Sequence, residues 1–485
     1  MAFIDGTVVN VALPSLQANL NATAVDVQWV VEAYSLLLSA FLLVGGSLGD
    51  HYGRRRIFLI GVVLFAIASA ACGFAGNIRQ LIAARAFQGF GAALLIPGSL
   101  AIISSSFSEQ ERGRAIGTWS GFSAITTGIG PVLGGWLIEH VSWRAVFFIN
   151  LPVALLVILI SSRHVAENSD REKARVDWFG AILAVCGLGA LVYGLIESPQ
   201  LGFGNRLVVT VLIVAGLLLV VFVFVESRRA HPMLPLTLFR SPVFTGTNLV
   251  TFLLYAALGG TFFFLPLNLI QVQHYSPTAA GAVLLPFILL MSLLSRWSGG
   301  LIASYGPRLP LIVGPVIAAA GYLLFMLPGV GGSYWTNFLP PMVLLGFGMA
   351  TSVAPLTTTV MSSVSQNHAG IASGVNNAVA RTAGLVAIAV LGIVMLDIFR
   401  SQLDRHLQDS KIPPSVSQSL LAQSTKLAAI VVREDQDPST PQLIRRAVDQ
   451  SFVSGFRAVM LIGAMLALAS AIAAFLITGG KIDIK

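Results

Sequence analysis

The chain has 485 residues, of which 55% are hydrophobic and 10% charged, with a mean hydropathy of +0.83. That composition is far from a soluble domain's and places most of the chain in lipid. The formal net charge of +8 would suit a nucleic-acid binder, but the basic residues gather in short loops between apolar runs, so nucleic acid is excluded as a partner.

Apolar segments fall at 1–14, 28–49, 57–75, 81–103, 115–137, 145–161, 178–196, 207–225, 246–270, 279–303, 309–328, 338–361, 371–399 and 456–478. A bilayer core about 30 Å thick takes roughly 20 apolar residues per helix. The runs are continuously apolar rather than alternating, which excludes a transmembrane barrel and predicts an all-α polytopic membrane protein. The first segment is short: about 13 residues precede Pro14, near 20 Å of helix, so the expectation is that the chain starts partway through its first helix.

Lys and Arg set the orientation. Alternate loops carry Arg54, Arg55 and Arg56, then Arg112 and Arg114, Arg163, Arg171, Lys173 and Arg175, Arg228, Arg229 and Arg240, Arg308, and finally Lys481 and Lys485. The opposite short loops carry only Arg79, Arg144 and Arg206. The rich side is predicted to be cytoplasmic, with both termini inside. Segment 400–453, with Pro413, Pro414 and mixed charge, reads as a long, exposed, partly irregular external loop.

An internal repeat appears when the loops are aligned. Tyr52-Gly53 falls on Tyr305-Gly306, Arg55 on Arg308 and Gly61 on Gly314, while Ala303 stands where Asp50 would be. Parallel duplication of six-helix halves predicts a central cavity near the midplane. The expected division is residues 1–161 as an N-terminal bundle, 162–245 with two inserted helices, and 246–485 as a C-terminal bundle.

Several motifs carry a family resemblance. The stretch from Gly45 through Gly46, Gly49, Asp50, Gly53, Arg54 and Arg55 to Gly61 resembles the signature between the second and third helices of the major facilitator superfamily. Arg85-Ala86-Phe87-Gln88-Gly89 resembles that superfamily's fourth-helix motif. Gly128-Ile129-Gly130-Pro131-Val132-Leu133-Gly134-Gly135 resembles the fifth-helix motif that marks its antiporters. Phe3-Ile4-Asp5-Gly6-Thr7 through Asn10 to Pro14, and Ser142-Trp143-Arg144 through Asn150 to Pro152, resemble segments of its fourteen-helix drug:proton antiporters.

The resemblance implies two six-helix halves plus two extra central helices, and export of drug-like, often cationic, molecules in exchange for protons. It also implies a bacterial inner membrane and no cofactor. The chain is expected to be a monomer, with its substrate, protons and the lipid bilayer as partners. Asp5, Glu32 and Arg85 are the candidate proton-coupling residues, because an ionisable group inside a span is functional by default. Gly46, Asp50, Gly53, Arg54, Arg55 and Arg308 are candidate gate residues; Gly130, Pro131, Gly134 and Gly135 form the antiporter motif. Asn10, Trp119, Asn376 and Arg381 are candidate cavity residues. A narrow-specificity metabolite transporter and a non-transporting membrane sensor are the alternatives. No nucleotide-binding loop, His/Cys metal cluster or nucleophile elbow is visible, so no enzyme is expected.

Overall fold

The computed structural model describes residues 1–107, 109–167, 177–229, 232, 234–364, 369–410, 412–431 and 439–477, without the side chains of 3, 43, 50, 104, 105, 109–117, 119–121, 123–125, 295, 296, 303, 369, 370, 439 and 440. The described residues form helices and turns, and each of the fourteen apolar segments coincides with helix. Eleven helices among the described residues are long and apolar enough to cross a membrane. Such helices satisfy every backbone group internally, which is what lipid demands.

The N-terminal bundle comprises α1 (Ala2–Asn19), α2 (Ala24–Tyr52), α3 (Arg54–Phe74), α4 (Ile78–Ser106), α5 (Glu109–His140), the short α6 (Ala145–Phe148) and α7 (Asn150–His164). The two inserted helices are α8 (Trp178–Leu201) and α9 (Arg206–Arg228). The C-terminal bundle comprises α10 (Pro242–Leu267), α11 (Pro277–Val283), α12 (Leu285–Tyr305), α13 (Arg308–Leu324), α14 (Tyr334–Asn337), α15 (Leu339–Ser362), α16 (Ala369–Asp409), α17 (Pro414–Ala422) and α18 (Ser439–Ile477). Helix α8 packs on α2 and α16, whereas α9 leaves Ile213, Leu217, Val220 and Phe224 exposed. An uncovered apolar face of that extent belongs against lipid.

Two expectations from the sequence need correction. Pro14 does not end the first helix: α1 continues to Asn19 with Pro14 inside it, so its 18 residues span about 27 Å. Nor is segment 400–453 simply exposed, as far as its described residues go. Helix α16 runs on to Asp409 and α18 begins at Ser439, and Leu403, Leu407, Leu420, Leu427, Ile444, Val448 and Phe452 are buried in the main hydrophobic core. Their apolar spacing is helical, and the packing they gain outweighs the mixed charge around them.

The ends of the bundle differ. At the end bearing Arg54 to Arg56, the N-terminal bundle is joined by the loop that follows it, through Glu167 and Val165, and by the start of α8, where Ala181 packs with Leu48 and Ile57. At the opposite, far end the two bundles lock together. A methyl on Gly135 would overlap the Pro277 carbonyl, and one on Gly281 would overlap the Pro131 carbonyl, so α5 and α11 touch backbone to backbone. The Thr278 hydroxyl donates to Glu139 Oε2 at 2.6 Å, Gln271 Nε2 donates to Gln17 Oε1 at 2.9 Å, and Gln28 Nε2 donates to the Ile388 carbonyl at 3.3 Å.

Gly281→Leu is expected to hold this end apart, because backbone on α5 cannot yield to a side chain. In a background lacking Cys72 and Cys186, a cysteine at position 17 is then labelled severalfold faster by a water-soluble maleimide than without the substitution.

Candidate functional site

The fifth-helix motif divides its small residues between two neighbours. Gly130 and Gly134, four apart and so on one face, lie against Thr7 and Val8 of α1, where an added methyl would overlap the Thr7 hydroxyl or Val8 Cγ2. Pro131 and Gly135 form the next face and meet α11. A single helix thereby binds α1 firmly and seals against the other bundle, and the missing side chains are what permit both approaches.

Helix α1 held in this way presents Asp5 to the interior of the N-terminal bundle. Asp5 is fully buried, and Arg85 is 1% exposed. Arg85 Nη1 donates to Asp5 Oδ2 at 2.6 Å and to Gln88 Oε1 at 2.6 Å, and its Nε donates to the Val30 carbonyl at 3.1 Å. The guanidinium also stands 4.2 Å from the centroid of the Tyr34 ring, within the range of a cation–π contact. Asp5 Oδ1 accepts from Gln88 Nε2 at 2.8 Å and from Asn150 Nδ2 at 3.2 Å. Ser69 Oγ accepts from both amides and donates to the Phe147 carbonyl at 2.8 Å.

This network answers the desolvation problem of a buried ion pair. The Coulomb term alone does not offset removing two charges from water; the remaining lone pairs and N–H groups must also be satisfied. Gln88, Asn150, Ser69 and Val30 do that here. The sequence reading paired Asp5 with Arg85 only as fellow candidates and gave Gln88, Asn150, Ser69 and Tyr34 no role. The signals were present: Gln88 lies three residues after Arg85, one turn along the same helix face, and Asn150 is a lone amide in an apolar run.

Glu32 is fully buried on α2, one turn beyond Gln28, and among the described residues neither of its carboxyl oxygens has a hydrogen-bond partner. A charged carboxylate in that setting costs several kcal/mol. The arrangement thus favours the neutral acid at Glu32, one turn from the Gln28 that bonds α16.

The gate signature folds around Gly53, whose φ of 111° lies in the region that glycine tolerates best. It joins α2 to α3 with almost no linker. Close packing on α4 falls to Gly45, whose methyl would overlap the Ala93 carbonyl, whereas at Gly46 the nearest atom, Pro97 Cβ, would stand at an ordinary 3.7 Å. The sequence did not single out Glu167, which caps this turn. Its oxygens accept from the Arg55 and Arg56 backbone N–H groups at 3.1 and 3.2 Å and lie 3.8 Å from both guanidinium Nε atoms. A carboxylate at a helix N-terminus gains from the helix dipole as well as from the side-chain charges. Arg54 Nη1 donates to the Ala101 carbonyl at 3.4 Å, and Arg55 Nη1 to Val165 at 3.0 Å. Arg308, in the second copy of the repeat, instead lies 4.8 Å from the Phe475 ring centroid.

Among the candidate cavity residues, Asn376 is turned into α10, where it donates to Asn248 Oδ1 at 3.2 Å and Thr251 Oγ1 at 2.6 Å; that is packing. Asn10 is partly buried on α1. Arg381 is partly buried and faces the seam between the bundles, in electrostatic reach of Tyr34 and Tyr255. The side chains of Asp50 and Trp119 lie outside the described residues.

A family model for the Major Facilitator Superfamily matches residues 1–388. The chain belongs to that superfamily. It is therefore a multi-pass membrane transporter rather than an enzyme. Its relatives include the multidrug resistance protein Stp of Mycobacterium tuberculosis (strain CDC 1551 / Oshkosh), 34% identical over 471 residues that cover 95% of this chain and 87% of that protein. Another is the tetracenomycin C resistance and export protein of Streptomyces glaucescens, 33% identical over 486 residues, covering 98% and 89% of the two. Among solved structures, a bacterial homologue of the human lysosomal transporter Spinster, inward-facing and occupied, superposes with a TM-score of 0.66 at 17% identity, covering 100% of this chain and 95% of that one. The inward-open xylose transporter XylE from E. coli superposes at 0.57 with 15% identity, covering 99% and 94%. At those identities the likeness is one of fold.

Removing the guanidinium while keeping the acid leaves a buried charge without its partner, a loss of about 3–5 kcal/mol. Arg85→Ala is thus expected to lower the melting temperature of the purified protein sharply. The double variant Asp5→Asn/Arg85→Gln should lose far less than the sum of Asp5→Asn and Arg85→Gln, as a double-mutant cycle on thermal melts would report.

Proposed function

We propose that this chain exports drug-like small molecules in exchange for protons by alternating access. The Asp5–Arg85 pair carries the reading: a carboxylate and a guanidinium, fully desolvated in the N-terminal bundle and bridged through Tyr34 toward the seam between the halves. When a proton reaches Asp5, the acid loses its charge and Arg85 loses its counter-ion. Gln88 and Asn150, which now donate to the carboxylate, must also reorganise. Protonation therefore changes the packing between α1, α4 and α7, and α1 is the helix that α5 grips on one face while sealing the far end with the other. Glu32 supplies the complementary condition, since its neutral form is the one that the closed α2–α16 seam accommodates.

In this reading the arginine-bearing end is cytoplasmic and the far end external, and α1, α5 and α13 cross the membrane with the eleven spans named above to make fourteen. Both termini are then cytoplasmic, the protein works as a monomer in the bacterial inner membrane, and the closed far end makes this conformation inward-facing. Relatives described as a multidrug resistance protein and as a tetracenomycin C resistance and export protein support export of antibiotics. Because tetracenomycin C is a single compound, a narrow-specificity transporter is the second reading.

In everted membrane vesicles, an imposed pH gradient is expected to drive uptake of a fluorescent drug-like probe. Asp5→Asn should abolish that gradient-driven uptake while leaving probe binding in place. Wild-type uptake that ignores the gradient, or an Asp5→Asn variant that responds to it as wild type does, would sink the coupling assignment. Glu32→Gln, which keeps the shape of the neutral acid, should fold and close like the wild type, whereas its transport should respond less to pH on the external side, measured across a pH series.

A further inference from the structure

Arg381 is a cation that the network around Asp5 does not use. It lies within the membrane span Ile371–Asp409, and among the described residues its guanidinium makes no hydrogen bond and has no carboxylate partner. Its electrostatic neighbours are the hydroxyl groups of Tyr34 on α2 and Tyr255 on α10. Ser373, Asn377 and Arg381 recur every four residues and so share one face of α16. Asn377 on that face is exposed, its amide donating back to the Ser373 carbonyl at 3.0 Å. A methyl added at Gly384, one turn past Arg381, would meet nothing within 4 Å. This face of α16 is thus open at Asn377 and along the missing Gly384 side chain, while the Gly384 backbone itself lies against Gly259 of α10.

The charges nearby do not balance. Arg85 is matched by Asp5 at 2.6 Å, and the setting of Glu32 favours the neutral acid. Among the described side chains, Arg381 thus leaves this part of the seam electropositive. An unmatched arginine at such depth is costly and marks a functional site when its counter-charge comes from outside the chain. Guanidinium is suited to planar oxyanions, which it can hold through two parallel hydrogen bonds, and the two flanking tyrosines offer aromatic surface with a polar tip.

We propose that Arg381, flanked by Tyr34 and Tyr255, recognises an ionised carboxylate or phenolate on an aromatic substrate, so that the transporter selects amphipathic anions over lipophilic cations. The proposal rests on the export reading and narrows its substrate class. It also replaces the cationic preference that the sequence resemblance suggested. Tyr34 touches both sites: its ring lies under Arg85 and its hydroxyl in the field of Arg381. An anion at Arg381 therefore alters the electrostatic surroundings of the Asp5–Arg85 pair.

The test compares anthracene-2-carboxylate with its methyl ester, which has the same ring and no charge, by fluorescence anisotropy on the purified protein in nanodiscs. Wild type is expected to favour the carboxylate by about tenfold or more, about 1.4 kcal/mol per factor of ten. Arg381→Gln should remove that preference while leaving ester affinity unchanged, and Arg381→Lys should restore part of it. A wild type that binds both forms equally, binds no carboxylate, or binds ethidium more tightly than the carboxylate overturns the proposal, as does an Arg381→Gln variant that loses both forms together. Vesicle transport separates this result from the underlying reading. Gradient-driven movement of ethidium but not of the carboxylate would discard the substrate class and keep proton-coupled export. Selective carboxylate binding without gradient-driven movement of either probe would keep the recognition site and discard the coupling.

Discussion

An arginine inside a membrane-spanning bundle needs a counter-charge and hydrogen-bond partners, and much of the N-terminal half is arranged to supply both to the Nε and Nη1 groups of Arg85. Asp5 comes from α1, the Val30 carbonyl and the Tyr34 ring from α2, and Gln88 from α4 itself. Asn150 and Ser69 then complete the shell around Asp5 from α7 and α3. Five helices converge on one ion pair. Such a network is worth more than its pairs taken singly, and a partly satisfied version would be worse than none.

The α5 glycines make that convergence possible and link it to the seam. Gly130 and Gly134 let α1 lie against α5 closely enough to fix the position of Asp5, and Gly135 lets α11 of the other half approach the same helix from another side. One rigid element therefore touches both the ionisable site and the closure between halves. The contact with α1 is made by the Thr7 and Val8 side chains and that with α11 by backbone, and close packing of this kind does not deform continuously.

The arginine-rich turn shows the same economy on a smaller scale. Gly53 reverses the chain, and the carboxylate of Glu167, from the segment that follows α7, sits over the N-terminus of α3. A solvent-accessible ion pair contributes little by itself. Its effect here comes from joining the end of the N-terminal bundle to the turn between its second and third helices, beside the bond from Arg54 to the Ala101 carbonyl of α4.

Continuous apolar runs determined the all-α membrane fold from sequence alone, because lipid leaves the backbone almost no other solution. The intramembrane Asp5 and Arg85 stood out for the same reason: charge in an apolar run has to be explained. The glycine-rich fifth helix was legible as a packing surface, though its division between α1 and α11 was not. What only the tertiary structure decided was partnership. Nothing in the spacing of Ser69, Gln88 and Asn150 says that two of them meet at one carboxylate and the third braces both amides, since they lie on three different helices. Nor could spacing tell Asn376, which is spent on α10, from Arg381, which faces the seam. Segment 400–453 was misread because its charges mask a helical apolar face, and Pro14 because a proline near a helix end can be absorbed where neighbours fix the chain. Local pattern fixes which residues lie in the membrane; which of them touch depends on how fourteen apolar segments pack, and that is set by long-range close contacts that no local window contains.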